Sequence, residues 1–520
     1  MNTSIVLPIF NRNTTGTNDK TEHLVTAFEP PPSLSNRQAM ADSSMLAVEQ
    51  LGENYDQPFR TLTISRTVTM LGLAARFQRQ LFASRRSCLR FQYNFSASSS
   101  PHQVIQNVDD ECTDFMTWLR NKSGAEISSV LSIGKSNYGR SLFACKPIRA
   151  GDCIFKVPLS VAMAPDNLDP SIDSLLGKDV NDFTKLTLTI LQHKRLGQAS
   201  EWAPYLNFLP LFADMHSTLF WSDEELQMIK ESFLYDVTLN HKAQIEKTFT
   251  SVKHVLFLFP EYFEGVSLHE FKHAYNLVES RSWMTPRGPS MIPFADFLNH
   301  DANTEQLITF KNTEQVIKLT AVEDYAPGDE VLVTYGRLEN ISLLLTFGFV
   351  LPDNRYDNPT FKIYAPQHDP LLALKRDLFN RSLELGSVAM KESSWSEIPE
   401  TLRALARVLC CTSQEELQEL AIEAAQNEGR LARIPLKNRD KELEAHQFLH
   451  SKCVQSIDNL HAALKPLSHL KSGNETRRMQ IARDLLNGEL RMFKSASAWL
   501  KGYCEALKQT GSVETEVIYL

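Results

Sequence analysis

The sequence predicts an α+β fold, because strand-like and helix-like patterns occupy different parts of the chain. Short alternating segments separated by glycine turns lie at 127–157 and at 307–334. Apolar residues at helical spacing fill about 165–290, between the two strand regions, and helical spacing resumes from Pro370. The sequence therefore predicts a β fold with an inserted helical block, followed by an all-helical C-terminal domain.

The predicted parts are an N-terminal extension at 1–108, a mixed domain at 109–355 with the helical insert at about 165–290, and a helical domain at 356–512. A chain of 520 residues with 42% hydrophobic and 22% charged residues is long enough for two or three packed domains. The net charge of −8 argues against nucleic-acid binding by the whole chain. We expect no membrane-spanning segment, and we interpret the short apolar run Val255–Phe259 as a buried helix.

The N-terminal extension changes character near residue 57. Residues 1–56 are polar without a sustained period, which predicts disorder. From Gln57 to Val108 there is no Asp or Glu, seven arginines occur, and the end is serine-rich. That composition is typical of an organelle transit peptide, here at about 70–100. Because transit peptides start the precursor, we hypothesise that Met70 rather than Met1 initiates at least one form; the alternative is a disordered basic linker.

Glycine turns punctuate the first strand region. Asn137-Tyr138-Gly139-Arg140 separates two alternating segments, and Ala150-Gly151-Asp152 precedes a third. The second strand region contains two dense motifs about 35 residues apart, Asn299-His300 and Tyr335-Gly336. A Ser-Arg-x-aromatic segment, with Arg281 and Trp283, precedes them. Each motif is weak when taken alone, so their order along the chain is the informative observation.

The four motifs in this order resemble the SET domain of protein methyltransferases, in the subgroup of the plant Rubisco large-subunit lysine methyltransferase. The resemblance covers roughly 115–350, and a further helical stretch of about 140 residues resembles the substrate-binding domain of that subgroup. The eight cysteines include no C-x-x-C pair, so the zinc modules of many histone-directed SET enzymes are not expected. The resemblance implies a SET-type β fold with an inserted helical block.

The resemblance also implies a site. The family binds S-adenosylmethionine and a substrate amine on opposite sides of a narrow channel. The cofactor-binding positions that match are Tyr138, Gly139 and Arg140 through main-chain groups, Arg281, Asn299, His300 and Tyr335. Tyr335 matches the catalytic tyrosine at the channel mouth. Trp283 and Phe347 match substrate-binding positions, with the cofactor's adenine as the alternative neighbour of Trp283. Phe347 stands where the family commonly has tyrosine, which leaves the number of methyl groups added open.

The implied activity is methyl transfer to a lysine of a protein substrate, in a chloroplast or, alternatively, a mitochondrion, by a chain that acts as a monomer. Neither a nucleic-acid nor a membrane partner is expected. A histidine acceptor stays open, because one member of the group modifies histidine. A catalytically silent SET-fold binding module is the main alternative to an enzyme.

A different motif predicts a different chemistry. His269-Glu270-Phe271-Lys272-His273 matches H-E-x-x-H, the helical zinc site of metalloproteases. However, Ser267 precedes Glu270 by three residues, which favours a capping box at a helix start. No third ligand is evident, so we expect no metal and treat the protease as the less favoured alternative.

Overall fold

The computed structural model describes residues 3–4, 109–136, 138–357, 360–361, 363, 368–378, 388–389, 398, 400–426, 436–468 and 476–509. The predicted transit segment at about 70–100 and both proposed start residues lie outside these ranges, as does Asn137. Within the part predicted to be disordered, Thr3–Ser4 form a two-residue strand, which the prediction did not anticipate. Among the described residues, no helix is both long enough and apolar enough to cross a membrane.

Short strands build the first part of the fold, as the alternation predicted. The strands are β1 Thr3–Ser4, β2 Leu131–Ser136, β3 Gly139–Ala144, β4 Cys153–Pro158, β5 Ser282–Thr285, β6 Gly288–Met291, β7 Asn299–His300, β8 Ile308–Lys311, β9 Val316–Thr320 and β10 Leu332–Val333. They pair antiparallel as β1 with β8, β8 with β9, β9 with β4, β2 with β3, and β5 with β6, whereas β7 and β10 pair in parallel. The predicted strand at 127–133 begins only at Leu131.

Helices fill the insert between β4 and β5, as predicted. The helices up to this point are α1 Asp109–Ser123, α2 Pro170–Asp173, α3 Asp182–Leu196, α4 Ala203–Leu206, α5 Asp223–Gln227, α6 Phe233–Leu258, α7 Pro260–Phe263 and α8 Leu268–Arg281. Two of them, α6 and α8, follow the N-cap residues Ser232 and Ser267, whose hydroxyls accept main-chain hydrogen bonds.

The interpretation of Val255–Phe259 as a buried helix is wrong at its end. Val255 and Leu256 are buried on α6, but Phe257 is 84% exposed and Leu258 is 56% exposed. The reason is geometric: four successive residues of a helix cover every side of it, and only one side of α6 faces the core.

The C-terminal part is helical, as predicted, apart from one antiparallel pair of two-residue strands that an all-helical domain would not contain. After α9 Asn340–Ser342 and a π-helical turn at Leu343–Phe347, the elements are β11 Thr360–Phe361, α10 Leu372–Leu378, β12 Val388–Ala389, α11 Glu400–Leu409, α12 Gln414–Gln426, α13 Arg439–Ser468 and α14 Arg477–Gln509.

Two large apolar cores organise these elements. One joins α1 and the strands to α3, α6 and α8 of the insert, with Phe115, Leu142, Phe155 and Phe271 fully buried. The second joins α13 and α14 to Trp221 of the insert and to Leu344 and Leu345 of the π-helical turn. The insert therefore packs on both sides, against the strand region and against the C-terminal helices.

Candidate active site

The pairing of β7 with β10 brings the two central motifs together. Residues Asn299 and His300 lie beside Leu332 and Val333 in parallel register. Two residues further on, the Tyr335 amide donates a hydrogen bond to His300 Nδ1 over 3.0 Å. The imidazole and phenol rings stack with centroids 5.0 Å apart. The intervening residues, 301–334, therefore form a loop and hairpin that returns the chain to the same point.

The Tyr335 side chain is held at both of its ends. Its hydroxyl donates to the main-chain carbonyl of Leu298 over 2.6 Å. The Trp283 ring packs edge-on against it at 6.1 Å, and Phe347 lies 4.8 Å away. Burial raises the pKa of Tyr335 above its usual value, so the phenol keeps its proton at physiological pH. A hydroxyl that has already donated its proton still offers oxygen lone pairs to another group.

The glycine turn of β2 and β3 reaches the same place. Asn299 Nδ2 donates to Ser136 Oγ over 3.0 Å and to Glu330 Oε1 over 2.9 Å. Gly139 begins β3 with a φ of +106°, a conformation that other residues adopt only with strain, and a Cβ there would meet nothing within 4 Å. Main-chain groups at this turn are thus open to an approaching ligand.

Two of the three predicted residues at that turn use their side chains elsewhere. Tyr138 is 59% exposed, and its ring lies 6.2 Å from Phe349. Arg140 donates to the Phe208 carbonyl over 2.7 Å and stacks on the Phe208 ring at 4.8 Å. The prediction that these positions act through main-chain groups is compatible with this arrangement and stays a prediction.

Arg281, the last residue of α8, is fixed by Asp296. Its Nη1 donates to the Asp296 carbonyl over 2.8 Å and lies 3.5 Å from Asp296 Oδ2. The fully buried Tyr205 donates to that same carboxylate oxygen over 2.8 Å. Burial raises the pKa of Asp296, while Arg281 and the Tyr205 hydroxyl oppose that rise.

Asp296 and Tyr205 are site residues that the sequence analysis missed. Asp296 stands only three residues before Asn299, but nothing in its neighbours marks a buried carboxylate. It lies on a 3-10 turn, Ala295–Phe297, that follows Phe294 with a φ of +78°. Tyr205 is 91 residues away in the insert. Only the fold reveals this pair.

Several buried polar atoms of this cluster have no hydrogen-bond partner among the described residues: Trp283 Nε1, Asp296 Oδ1 and His300 Nε2. Because Nδ1 of His300 accepts from Tyr335, the ring proton belongs on Nε2. Leaving such groups without partners costs about 1–3 kcal/mol each. Unpaired donors and an unpaired acceptor around a glycine turn fit a site that receives a polar ligand.

The H-E-x-x-H segment is engaged in packing. Ser267 and Glu270 form the predicted capping box, with Glu270 Oε2 accepting from the Ser267 amide over 2.8 Å. His273 Nε2 lies 3.0 Å from the Pro210 carbonyl, and the His269 ring packs on Phe212 at 3.7 Å. In the described part of the chain, no group of three metal-ligating side chains is present. The two histidines therefore stabilise the contact between α8 and the loop at 210–212.

Comparison with known proteins agrees with this geometry. The SET domain family matches residues 139–336, and the family described as Rubisco LSMT substrate-binding matches 366–493. The chain therefore contains a SET domain and a second region similar to the Rubisco LSMT substrate-binding domain, as the sequence resemblance implied. The matched SET region begins at Gly139, inside the first motif, and ends at Gly336, so it contains the other three motifs in full.

Individual relatives are distant. The chain is 26% identical over 296 residues to the chloroplastic [fructose-bisphosphate aldolase]-lysine N-methyltransferase of Arabidopsis thaliana, covering 54% of this chain and 60% of that protein. It is 23% identical to the chloroplastic Rubisco large subunit N-methyltransferase of Nicotiana tabacum, and the match covers 73% of this chain and 79% of that protein. The chain thus spans less than two thirds of the first relative's length.

Among solved structures, the SET domain of LSMT bound to lysine and AdoHcy superposes with a TM-score of 0.65 at 21% identity, covering 78% of this chain and 94% of that one. A similarity at this identity establishes the fold. It confirms the predicted SET-type β fold with a helical insert and a helical C-terminal region.

Proposed function

We propose that the chain is an S-adenosylmethionine-dependent protein-lysine N-methyltransferase. The observation that carries the proposal is the junction of β7 and β10, where the Tyr335 ring stacks on His300 and its hydroxyl is fixed on the Leu298 carbonyl. The Gly139 turn reaches this junction through Asn299, and Arg281 reaches it through Asp296. These contacts connect residues spread over nearly two hundred positions of a SET domain, which supports the proposal of one shared site.

On the cofactor side, the proposed binding groups are the main chain at 138–140, the Asn299-His300 pair and Arg281. The cofactor supplies a methyl group activated by a sulfonium. Arg281 suits its carboxylate, because a guanidinium already braced by Asp296 loses little freedom on binding. Nε2 of His300 is a buried donor still without a partner among the described residues.

On the acceptor side, we propose that Tyr335 orients the incoming amine. Its raised pKa rules the phenol out as a strong base, since a base must first lose its proton. Its oxygen and the Leu298 carbonyl can instead accept weak C–H hydrogen bonds from the methyl group and align the nitrogen. The apolar rings of Trp283 and Phe347 pack against Tyr335, and we propose that they exclude water from the transfer site. The lysine therefore arrives neutral, having lost its proton to water before transfer.

The proposed substrate is a protein, and the C-terminal helices are the proposed surface for it. Two relatives are named for plastid proteins, the Rubisco large subunit and fructose-bisphosphate aldolase. We propose a plastid location on that basis together with the arginine-rich, acid-poor composition of 57–108. A monomeric enzyme without a nucleic-acid or membrane partner completes the proposal.

The test incubates the full chain with isotope-labelled S-adenosylmethionine and either the purified Rubisco large subunit or fructose-bisphosphate aldolase, with a plastid extract as the wider substrate pool. Mass spectrometry then locates labelled residues. Label on lysine, absent with the Tyr335→Phe variant, is the expected result. Cofactor binding without transfer to any protein would instead indicate a binding module, and label on histidine would overturn the lysine assignment.

A further inference from the structure

A single arginine of the C-terminal domain holds a loop of the insert. Arg478, on the first turn of α14, donates through Nη2 to the Met215 carbonyl over 3.0 Å. Its Nη1 donates to the Phe220 carbonyl over 3.0 Å and to Glu225 Oε2 over 2.7 Å. The planar guanidinium thus ties both ends of the segment 215–220 to one point.

The same loop holds the π-helical turn that leads out of the SET region. The buried Ser217 hydroxyl donates to the Leu345 carbonyl over 2.5 Å. Gly348 ends the turn with a φ of +82°, and a Cβ there would lie 2.6 Å from the Ser217 amide nitrogen. Main chain packs directly on main chain at this point, so a shift of the loop displaces the turn.

The π-helical turn also carries one wall of the candidate active site. Phe347 is its last residue, and its ring lies 4.8 Å from Tyr335. Phe349, just beyond Gly348, lies 6.2 Å from the His300 ring. Other elements hold the residues proposed for the cofactor side. Arg281 donates a hydrogen bond to the Asp296 carbonyl, and Asn299 donates hydrogen bonds to Ser136 and Glu330.

We propose that Arg478 is a positioning residue for the acceptor side of the pocket, acting through the loop 215–220 and the π-helical turn on Phe347. This inference rests on the methyl transfer proposed above, and it assigns to the C-terminal domain a role in shaping the pocket. Although 131 positions separate Arg478 from Phe347, two hydrogen bonds connect them through the loop and the turn: Arg478 to the Met215 carbonyl and Ser217 to the Leu345 carbonyl.

The kinetic test compares three variants of the full chain, Arg478→Ala, Ser217→Ala and Asn459→Ala. Asn459 is the matched control, because it also joins a C-terminal helix to the insert, through Glu231, without contacting the loop. A misplaced pocket wall is expected to lower the single-turnover transfer rate of Arg478→Ala and Ser217→Ala by on the order of tenfold. The dissociation constant for S-adenosylhomocysteine, measured by calorimetry, stays within about twofold. Unchanged rates, or an equal loss of cofactor affinity, would overturn the proposal.

Hydrogen exchange tests the same linkage without the reaction. In Arg478→Ala, amides at 343–349 are expected to exchange faster, whereas amides at 299–300 keep the wild-type rate; Asn459→Ala should match wild type at both segments. Exchange at 343–349 that is unaltered in both Arg478→Ala and Ser217→Ala would refute the linkage. Because this readout needs no turnover, a wild-type chain that transfers no methyl group would refute the proposed function and leave the linkage to be decided by exchange.

Discussion

The hydroxyl of Tyr335 donates a hydrogen bond to the carbonyl of Leu298 over 2.6 Å, which fixes the phenol one residue before the Asn299-His300 pair. The donor of the phenol is therefore committed, while its oxygen lone pairs remain available. This places Tyr335 among groups that orient a reacting amine rather than among groups that take its proton.

Replacing Tyr335 by phenylalanine removes that oxygen and keeps the stacked ring. We expect kcat to fall by roughly 10²-fold, because the amine loses its alignment, while cofactor affinity changes little. Steady-state kinetics and calorimetric titration with S-adenosylhomocysteine measure the two quantities. Equal losses in both would mean that the hydroxyl serves cofactor binding instead.

Arg281 is expected to act on the other side of the pocket. Arg281→Lys cannot reach the Asp296 carbonyl and carboxylate with one planar group, so we expect the cofactor dissociation constant to rise on the order of tenfold. The matched control is Arg287→Lys, since Arg287 holds Asp166 and the Ala162 carbonyl at another point of the fold. An effect of similar size on cofactor affinity from the control would remove the specific role of Arg281.

Gly348 and Gly502 make a matched pair of glycines. Gly348→Ala places a Cβ against the Ser217 main chain in a left-handed conformation, and we expect a loss on the order of 2–4 kcal/mol in the free energy of unfolding. Gly502 is exposed in the C-terminal third of α14 with open space around it, so Gly502→Ala should raise the free energy of unfolding by about 0.5–1 kcal/mol. Denaturant unfolding measures both, and a harmless Gly348→Ala would contradict the close approach seen here.

Because Glu270 caps the start of α8, we expect its replacement to lower the stability of the protein and to leave methyl transfer unchanged. Glu270→Ala should cost about 1 kcal/mol of unfolding free energy through loss of the capping box at the start of α8. Methyl transfer should withstand a zinc chelator. Peptidase activity that disappears on chelation or in Glu270→Gln would restore the metalloprotease alternative.

The buried pair of His241 and Glu279, 3.1 Å apart, predicts a pH dependence of stability. Burial opposes protonation of His241, but the Glu279 carboxylate outweighs it and raises the pKa of His241 in the folded state. The ion pair of protonated His241 with Glu279 therefore stabilises the folded protein fully when the pH is below 6.5, the pKa of an unfolded histidine. This stabilisation is lost as the pH rises through the higher pKa of His241 in the folded state. The melting temperature of wild type should therefore exceed that of Glu279→Gln by more at about pH 6 than at about pH 9. A difference that grows with pH would have the wrong sign.

The sequence was sufficient to predict most elements that local pattern controls. Alternation predicted the strands, and Ser267 with Glu270 predicted the start of α8, because both signals lie within a few residues of the structure they specify. The order of the motifs identified the SET fold, although periodicity alone would have given only a mixed domain.

Contacts between distant residues could not be predicted. Tyr205 and Asp296 are 91 positions apart in the sequence, and Arg478 contacts Met215, which is 263 positions away. No local pattern records such a contact, since it depends on how whole helices pack. The positive φ of Phe294, which turns Asp296 into the core, was equally hidden, because a phenylalanine at that angle is unusual.

The central claim is that the Gly139 turn, Arg281, Asn299-His300 and Tyr335 surround one cofactor. A crystal structure of the full chain grown with S-adenosylhomocysteine tests this most directly. We predict the nucleoside between the Gly139 turn and Asn299-His300, with its carboxylate on Arg281 and its sulfur facing the Tyr335 hydroxyl. A ligand bound elsewhere, or no bound ligand at saturating concentration, would contradict the account.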